Sequence, residues 1–354
     1  QNPPLCAMSG SRRAGYDCAR AVCALTVALF HYGTTCEALG LHGFSDKLIA
    51  YPGGTWGELA SLVFLMLSGA ALTCGYPAGH FTLRRFYQKR FLSLYPLYYL
   101  AYALAALWLF FYFPGYFNAA TPASLLLSAL GMDGYFSYRC AGSYILGEWF
   151  LGAIVLLYLL YPLLAWALEN KFARTVVSAV LPLASVLVIR HGWFGIYYGI
   201  YGLHNLWLCA FCFWYGMLLE KAHARFVRLN RLLPLAGAAL LAVTVFVPLG
   251  INPFYTMLAG AAGAFPALTG LGDALQPCRR LTAALRWIGR QSYALLLVHH
   301  VLFQQGLVRL FGAFAPTPPA CLLGLCAALA LARALNALYS VLRRAMRPKE
   351  VFHE

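Results

Sequence analysis

Charge is what this sequence is short of. Only 10% of its 354 residues are Asp, Glu, Lys or Arg, against about 25% in an ordinary soluble domain. Beside 62% hydrophobic residues, that shortage excludes a soluble globular fold and leaves an integral membrane protein. Negative charge is the scarcer sign: 11 acidic residues face 26 Lys and Arg, for a net charge of +15. The excess invites a nucleic-acid reading, but the basic residues cluster in short loops on alternate sides of the apolar segments. They form no stripe along which a phosphate backbone could run, so no nucleic-acid partner is expected. Metal-ligand spacing is missing too. Cys209 and Cys212 form a CxxC inside the apolar run LWLCAFCFWYG, with no second pair or His at ligand spacing, so no metal is expected. No soluble domain and no internal repeat stand out, which weakens an inverted-repeat transporter. No small-residue cleavage site follows the first apolar helix, so it reads as a retained span.

What is present is a series of separate apolar segments of about 15 to 25 residues, each able to satisfy its own backbone as a helix. Spans are expected at 17–35, 58–76, 91–113, 145–167, 174–189, 204–220, 232–248, 253–271, 291–311 and 319–342. A short re-entrant or surface helix is expected at 122–132. The fold class is all-α integral membrane: one domain over 1–354, a bundle of about ten transmembrane helices with short tails at 1–16 and 343–354. Of the 26 Lys and Arg residues, this arrangement leaves Lys47, Arg139, Arg190 and Arg309 outside, with Arg333 within the last span. The others lie on one side, which puts both termini in the cytoplasm. The expected location is the cell inner (cytoplasmic) membrane, with the lipid bilayer as partner. Cys36 and Cys140 both fall in outer loops, where a disulfide could join them.

The stretch around which the chain is organised runs from Asp17 to Tyr32, DCARAVCALTVALFHY, an apolar helix whose only basic side chains are Arg20 and His31. Arg20 and His31 are three helical turns apart, about 1100° at 100° per residue, so they share a face across about 16 Å. One face therefore carries a cation at the membrane edge and an imidazole deep in lipid, where polar groups are costly and usually functional. The bland alternative is a snorkelling Arg and a hydrogen-bonded core His. In the fourth span, running the other way, Glu148 reaches the same outer half, as a partner for the imidazole or as an interfacial acid. His299 and His300 sit at mid-membrane, about 100° apart, so at most one is expected to face a given cavity. Ser68 stands near mid-depth, where a hydroxyl usually bonds the preceding turn. Lys89 and Arg90 precede FLSLYP as positive-inside residues or as a phosphate clamp.

Together these residues resemble the acyltransferase-3 family, membrane enzymes that put acyl groups, often acetyl, on surface glycans. The resemblance rests on Asp17-x-x-Arg20 followed after ten residues by His31, on Ser68-Gly69, and on KRFLSLYPLYY with Pro96 and Tyr98. GEWFL and LLYPLL, carrying Glu148 and Pro162, and IGRQSYALLLVH, with Gly289, Ser292, Tyr293 and His299, extend it over nearly the whole chain. Ser93 stands where the family pattern has a second Arg, and Ala21 where relatives often have Gly. The resemblance implies a cytoplasmic acyl-CoA donor, most simply acetyl-CoA, and a hydroxyl of an outer glycan or glycolipid as acceptor. His31 would be the base and Glu148 its orienting acid; Arg20, Lys89 and Arg90 would hold the donor; Asp17, Ser68, Tyr293 and His299 would line the cavity. Direct transfer and an acyl-histidine intermediate are both compatible with these residues. Two other classes stay open: a glycan or lipid exporter, and a different membrane acyltransferase with an Asn/His pair, nearest to His204-Asn205.

Overall fold

The computed structural model describes residues 14–113, 115–136, 145–146, 149–191, 204–223 and 227–346. Among these the helices are α1 (Ala14–Ala38), α2 (Trp56–Gly75), α3 (Leu83–Tyr112), α4 (Pro122–Ala129), α5 (Trp149–Glu169) and α6 (Lys171–His191). They continue with α7 (Leu206–His223), α8 (Val227–Phe246), α9 (Pro253–Ala274), α10 (Arg279–Leu302) and α11 (Pro318–Ala345). A π-helical turn, Phe303–Leu307, carries α10 on into Val308–Phe311. The only sheet among the described residues is a two-stranded antiparallel ribbon, β1 (Ala50–Tyr51) with β2 (Gly54–Thr55). Seven described helices are long and apolar enough to cross a membrane: α2, α3, α5, α6, α9, the α10 rod and α11. Large apolar side chains lie outward on them, such as Phe110 and Phe111 of α3 and Leu163 of α5, as lipid-facing surfaces require. The protein is an all-α multi-pass membrane protein.

Several ends differ from the sequence reading, and the two largest shifts fall at runs of basic residues. α3 starts at Leu83, not 91, so Arg84, Arg85, Lys89 and Arg90 are helical; α10 starts at Arg279, not 291. Apolar periodicity stops where charge begins, but backbone hydrogen bonding does not, and Arg and Lys are good helix formers. Phe86 already donates its N–H to Thr82 O at 2.9 Å. Likewise α1 takes in Ala14 to Tyr16, and α11 runs on to Ala345, so the expected N-terminal tail ends as helix and the C-terminal one begins as helix. Cys36 also moves. It lies in the last turns of α1 rather than in a loop, as a buried free thiol, which removes the suggested bridge to Cys140. Cys140 itself lies outside the described residues.

The short helix between spans is present as α4, and its position is informative. Helix C-termini leave carbonyls without partners. Here three tyrosines of the α3 run YPLYY supply donors: Tyr98 to Ser128 O at 2.6 Å, Tyr99 to Ala129 O and Tyr95 to Leu130 O, both at 2.8 Å. The last of these tyrosines stands 13 residues before the end of α3, about 20 Å along the helix axis. α4 is therefore held far down the side of α3, in the manner of a re-entrant helix. Tyr98, part of the family-like Pro-x-Tyr, is a structural cap in this arrangement.

α1 is the helix around which the others assemble, in contact with α2, α9, α10 and α11. The tightest crossing is elsewhere, between α2 and α7. A Cβ on Gly69 would strike the carbonyl oxygen of Phe213, and one on Gly216 that of Met66. Small residues let membrane helices gain contact where no hydrophobic drive separates lipid from protein. Gly69 of the Ser-Gly pair thus belongs to this backbone contact. Gly216→Val should cost about 1–3 kcal/mol by overpacking and lower the thermal midpoint in detergent by several degrees. An unchanged midpoint would mean that the two backbones do not meet there.

Candidate active site

α1 and α10 run parallel, held in one register along their length. Arg286 Nε donates to Asp17 Oδ2 at 3.4 Å across an offset of 269 residues, and the same offset sets His31 against His300. Gly289 makes the close approach possible, since a Cβ there would sit 3.3 Å from Asp17 O and 3.9 Å from Arg20 Cβ. The residues that follow on α10 make separate bonds. Ser292 folds its hydroxyl back onto Gly289 O at 2.9 Å, and Tyr293 OH donates to Leu94 O of α3 at 3.0 Å. Gln291 accepts from Asn336 Nδ2 of α11 at 2.7 Å.

At one end of this helix pair lies a carboxylate between two guanidinium groups. Asp17 is 2% exposed; Arg20 Nη1 stands 3.9 Å from its Oδ1, and Arg286 reaches its other oxygen. A buried carboxylate between two cations fixes both guanidinium groups in place. Arg20 keeps its buried Nη1 without a hydrogen-bond partner among the described residues. Arg286 was not visible in the sequence reading, because its partner is 269 residues away. Lys89 and Arg90 sit on α3. Arg90 Nη2 donates to Tyr76 OH at 3.1 Å, and its guanidinium lies 5.1, 5.7 and 6.0 Å from the rings of Tyr76, Tyr158 and Phe86. Such cation–π packing ties α3 to α2 and α5. Lys89 is exposed, 5.8 Å from the Tyr76 ring centre.

At the other end three imidazoles meet. Ring centres are 4.0 Å apart for His31 and His300, 5.1 Å for His31 and His299, and 4.6 Å for His299 and His300. The expectation that only one of the adjacent histidines would face a given site is therefore wrong. Their 100° divergence brackets the line of approach of α1, and the His31 ring enters between them. His299 is 1% exposed; its Nδ1 lies 2.9 Å from Leu295 O, which makes Nδ1 the protonated nitrogen. His300 Nδ1 faces the Gln304 amide at 3.2 Å. One nitrogen from each of the three lies within 4.8 Å of the others. Along the axis, the 14 residues from Asp17 to His31 put the two ends about 21 Å apart.

Other sequence candidates are placed elsewhere. Ser68 Oγ donates to Phe64 O at 2.9 Å, the default bond of a membrane-helix serine. Glu148 lies outside the described residues; its neighbour Trp149 stacks on His204 with ring centres 3.9 Å apart. Asn205 Oδ1 accepts from Leu208 N at 3.0 Å and so caps α7, a structural use that explains the His-Asn fragment. An apolar cavity of about 350 Å3, lined by Val22, Thr26, Trp56 and Val245 among others, opens on the opposite face of α1. It is separate from the polar pair.

Comparison with known families gives one result. The acyltransferase-3 family model, described as an acyltransferase domain, matches residues 13–336. No curated protein and no solved structure matches the chain. The matched range takes in both ends of the α1–α10 pair, and α3 and its basic first turns between them.

Proposed function

Because the chain belongs to the acyltransferase-3 family, we propose that it transfers an acyl group, most simply acetyl, from cytoplasmic acyl-CoA to a hydroxyl of an extracytoplasmic glycan or glycolipid. One observation carries this reading. The paired helices α1 and α10 hold guanidinium groups at one end and imidazoles at the other, on the same face. Coenzyme A is an anion at its phosphate end and a thioester at the far end of an extended arm. Arg20 and Arg286, with Lys89 and Arg90 at the same end of the bundle's spans, are the donors for the phosphates. The pantetheine arm then runs along α1 and brings the thioester to His31. With both termini cytoplasmic and about ten spans, the guanidinium end faces the cytoplasm and the imidazole end faces the acceptor.

In the reaction, neutral His31 takes the proton of the acceptor hydroxyl as its oxygen attacks the thioester carbonyl. The tetrahedral intermediate collapses, the C–S bond breaks, and the thiolate takes the proton back from the imidazolium. Free coenzyme A and an acyl ester are the products. Two groups orient the base. His299, with Nδ1–H committed to Leu295 O, presents a bare Nε2 that accepts from His31 directly or through a water. Glu148 balances the charge of the imidazolium, as the carboxylate does in a Ser-His-Asp triad. Glu148→Gln should lower kcat by about two orders of magnitude, with the donor KM little changed. A donor KM that rises with kcat unchanged would instead move Glu148 to the donor end.

The test in the cell is mass spectrometry of surface glycans with and without the gene. Loss of acyl substituents on deletion, restored by the wild-type gene and not by His31→Ala, is the expected result. Loss of the polymer itself, with no acylated form in either strain, would turn the reading to an exporter.

A further inference from the structure

Three imidazoles in mutual reach are more than a single base needs. His299 is 1% exposed and its Nε2 is buried with no hydrogen-bond partner among the described residues. Leaving a buried acceptor unpaired costs about 1–3 kcal/mol. His31 and His300 each offer a ring nitrogen within 4.8 Å of a ring nitrogen of His299. We propose that His31, His299 and His300 form a binding site for one borderline-soft divalent cation of the Zn2+ class, between α1 and α10.

The donor set fits that chemistry. Three neutral imidazoles with an open fourth position are a familiar tetrahedral zinc environment, and hard cations such as Mg2+ or Ca2+ prefer oxygen. The outer shell fits as well. A metal-bound His usually donates its other N–H to a carbonyl, and His299 Nδ1 already does so to Leu295 O at 2.9 Å. Gln304 stands 3.2 Å from His300 Nδ1; rotating its amide by 180° presents the carbonyl oxygen to an Nδ1–H. A Zn–N bond of about 2.0–2.1 Å needs the three nitrogens about 3.3 Å apart. Rotation of the rings closes the present separation of at most 4.8 Å. The π-helical turn that begins at Phe303, three residues after His300, carries Gln304, and such turns are frequent at functional sites.

A cation held here takes the His31 lone pair that proton abstraction requires. Occupancy and base catalysis by His31 therefore exclude each other, and Zn2+ is an inhibitor of the transfer proposed above. Only this inhibitory consequence rests on that reading; the binding itself does not. The test is made on the full-length, tag-free protein in detergent, without donor or acceptor. Titration with Zn2+ should give one site per chain, and Co2+ should give the intense visible bands of tetrahedral coordination. His299→Asn and His300→Asn, kept if monodisperse, should abolish both signals. Gln304→Ala, at an exposed position, keeps all three ligands and should weaken Zn2+ binding about tenfold through the lost outer shell. Absence of Zn2+ binding by the wild-type protein would overturn the proposal. So would equal binding by wild type and the two histidine variants, and so would an octahedral Co2+ spectrum.

Discussion

His31→Ala should lower acyl transfer by about 10²–10⁴-fold, with insertion, monodispersity and thermal midpoint close to wild type. The ring is partly exposed within the cluster rather than fully packed, so its loss leaves a small polar space that water can fill. The backbone carbonyl of His31 holds Thr35 Oγ1 at 2.7 Å, and alanine keeps that bond. Steady-state kinetics on purified protein give the check. The signature is a fall in kcat with an unchanged donor KM, because the proposed site for the donor phosphates is at the other end of α1. Activity retained in a correctly inserted mutant would end the assignment of His31 as the base.

At the guanidinium end the expected effect falls on binding. Arg20→Ala removes up to two charge-assisted hydrogen bonds to the donor phosphates, each worth about 1.5–3 kcal/mol. Donor KM should rise about ten- to a hundredfold or more, with a smaller change in kcat. Arg20→Lys should recover only part of the loss, because a point charge lacks the planar fork. Asp17 sets the geometry of this end, and its contact with Arg286 adds a second cation beside Arg20. Saturation kinetics or calorimetry with coenzyme A separates the outcomes. An unchanged affinity for coenzyme A together with a weakened acceptor would reverse the direction in which the donor lies along α1.

How far the sequence carried this picture depends on the kind of contact involved. Arg20 and His31 share a face by helical period alone, and that face does meet the α10 signature. Helix positions were legible for the same reason, since long apolar segments admit little else in lipid. Helix ends at Arg84–Arg90 and Arg279–Arg290 were not, because charge marks the membrane edge rather than the end of hydrogen bonding. The second cation on Asp17 and the meeting of three imidazoles depend on which helices touch and in what register. Spacing along one chain does not contain that information. Gly289 was the nearest hint, since a glycine inside an amphipathic helix often marks a close approach. The imidazole cluster does not show in ligand spacing along the chain for a related reason: His31 and His300 are 269 positions apart.

The central claim is transfer of an acyl group by this chain alone, and the most direct test needs no cell. Purified full-length protein in detergent, freed of bound cations by a chelator, is given acyl-labelled acetyl-CoA and a soluble glycan acceptor with no membrane gradient. Free thiol release and label on the glycan are followed together. The account predicts one thiol released for each acyl ester formed, both lost in His31→Ala. Neither product formed by the wild-type protein, across a range of acyl-CoA donors and hydroxyl acceptors, would contradict it.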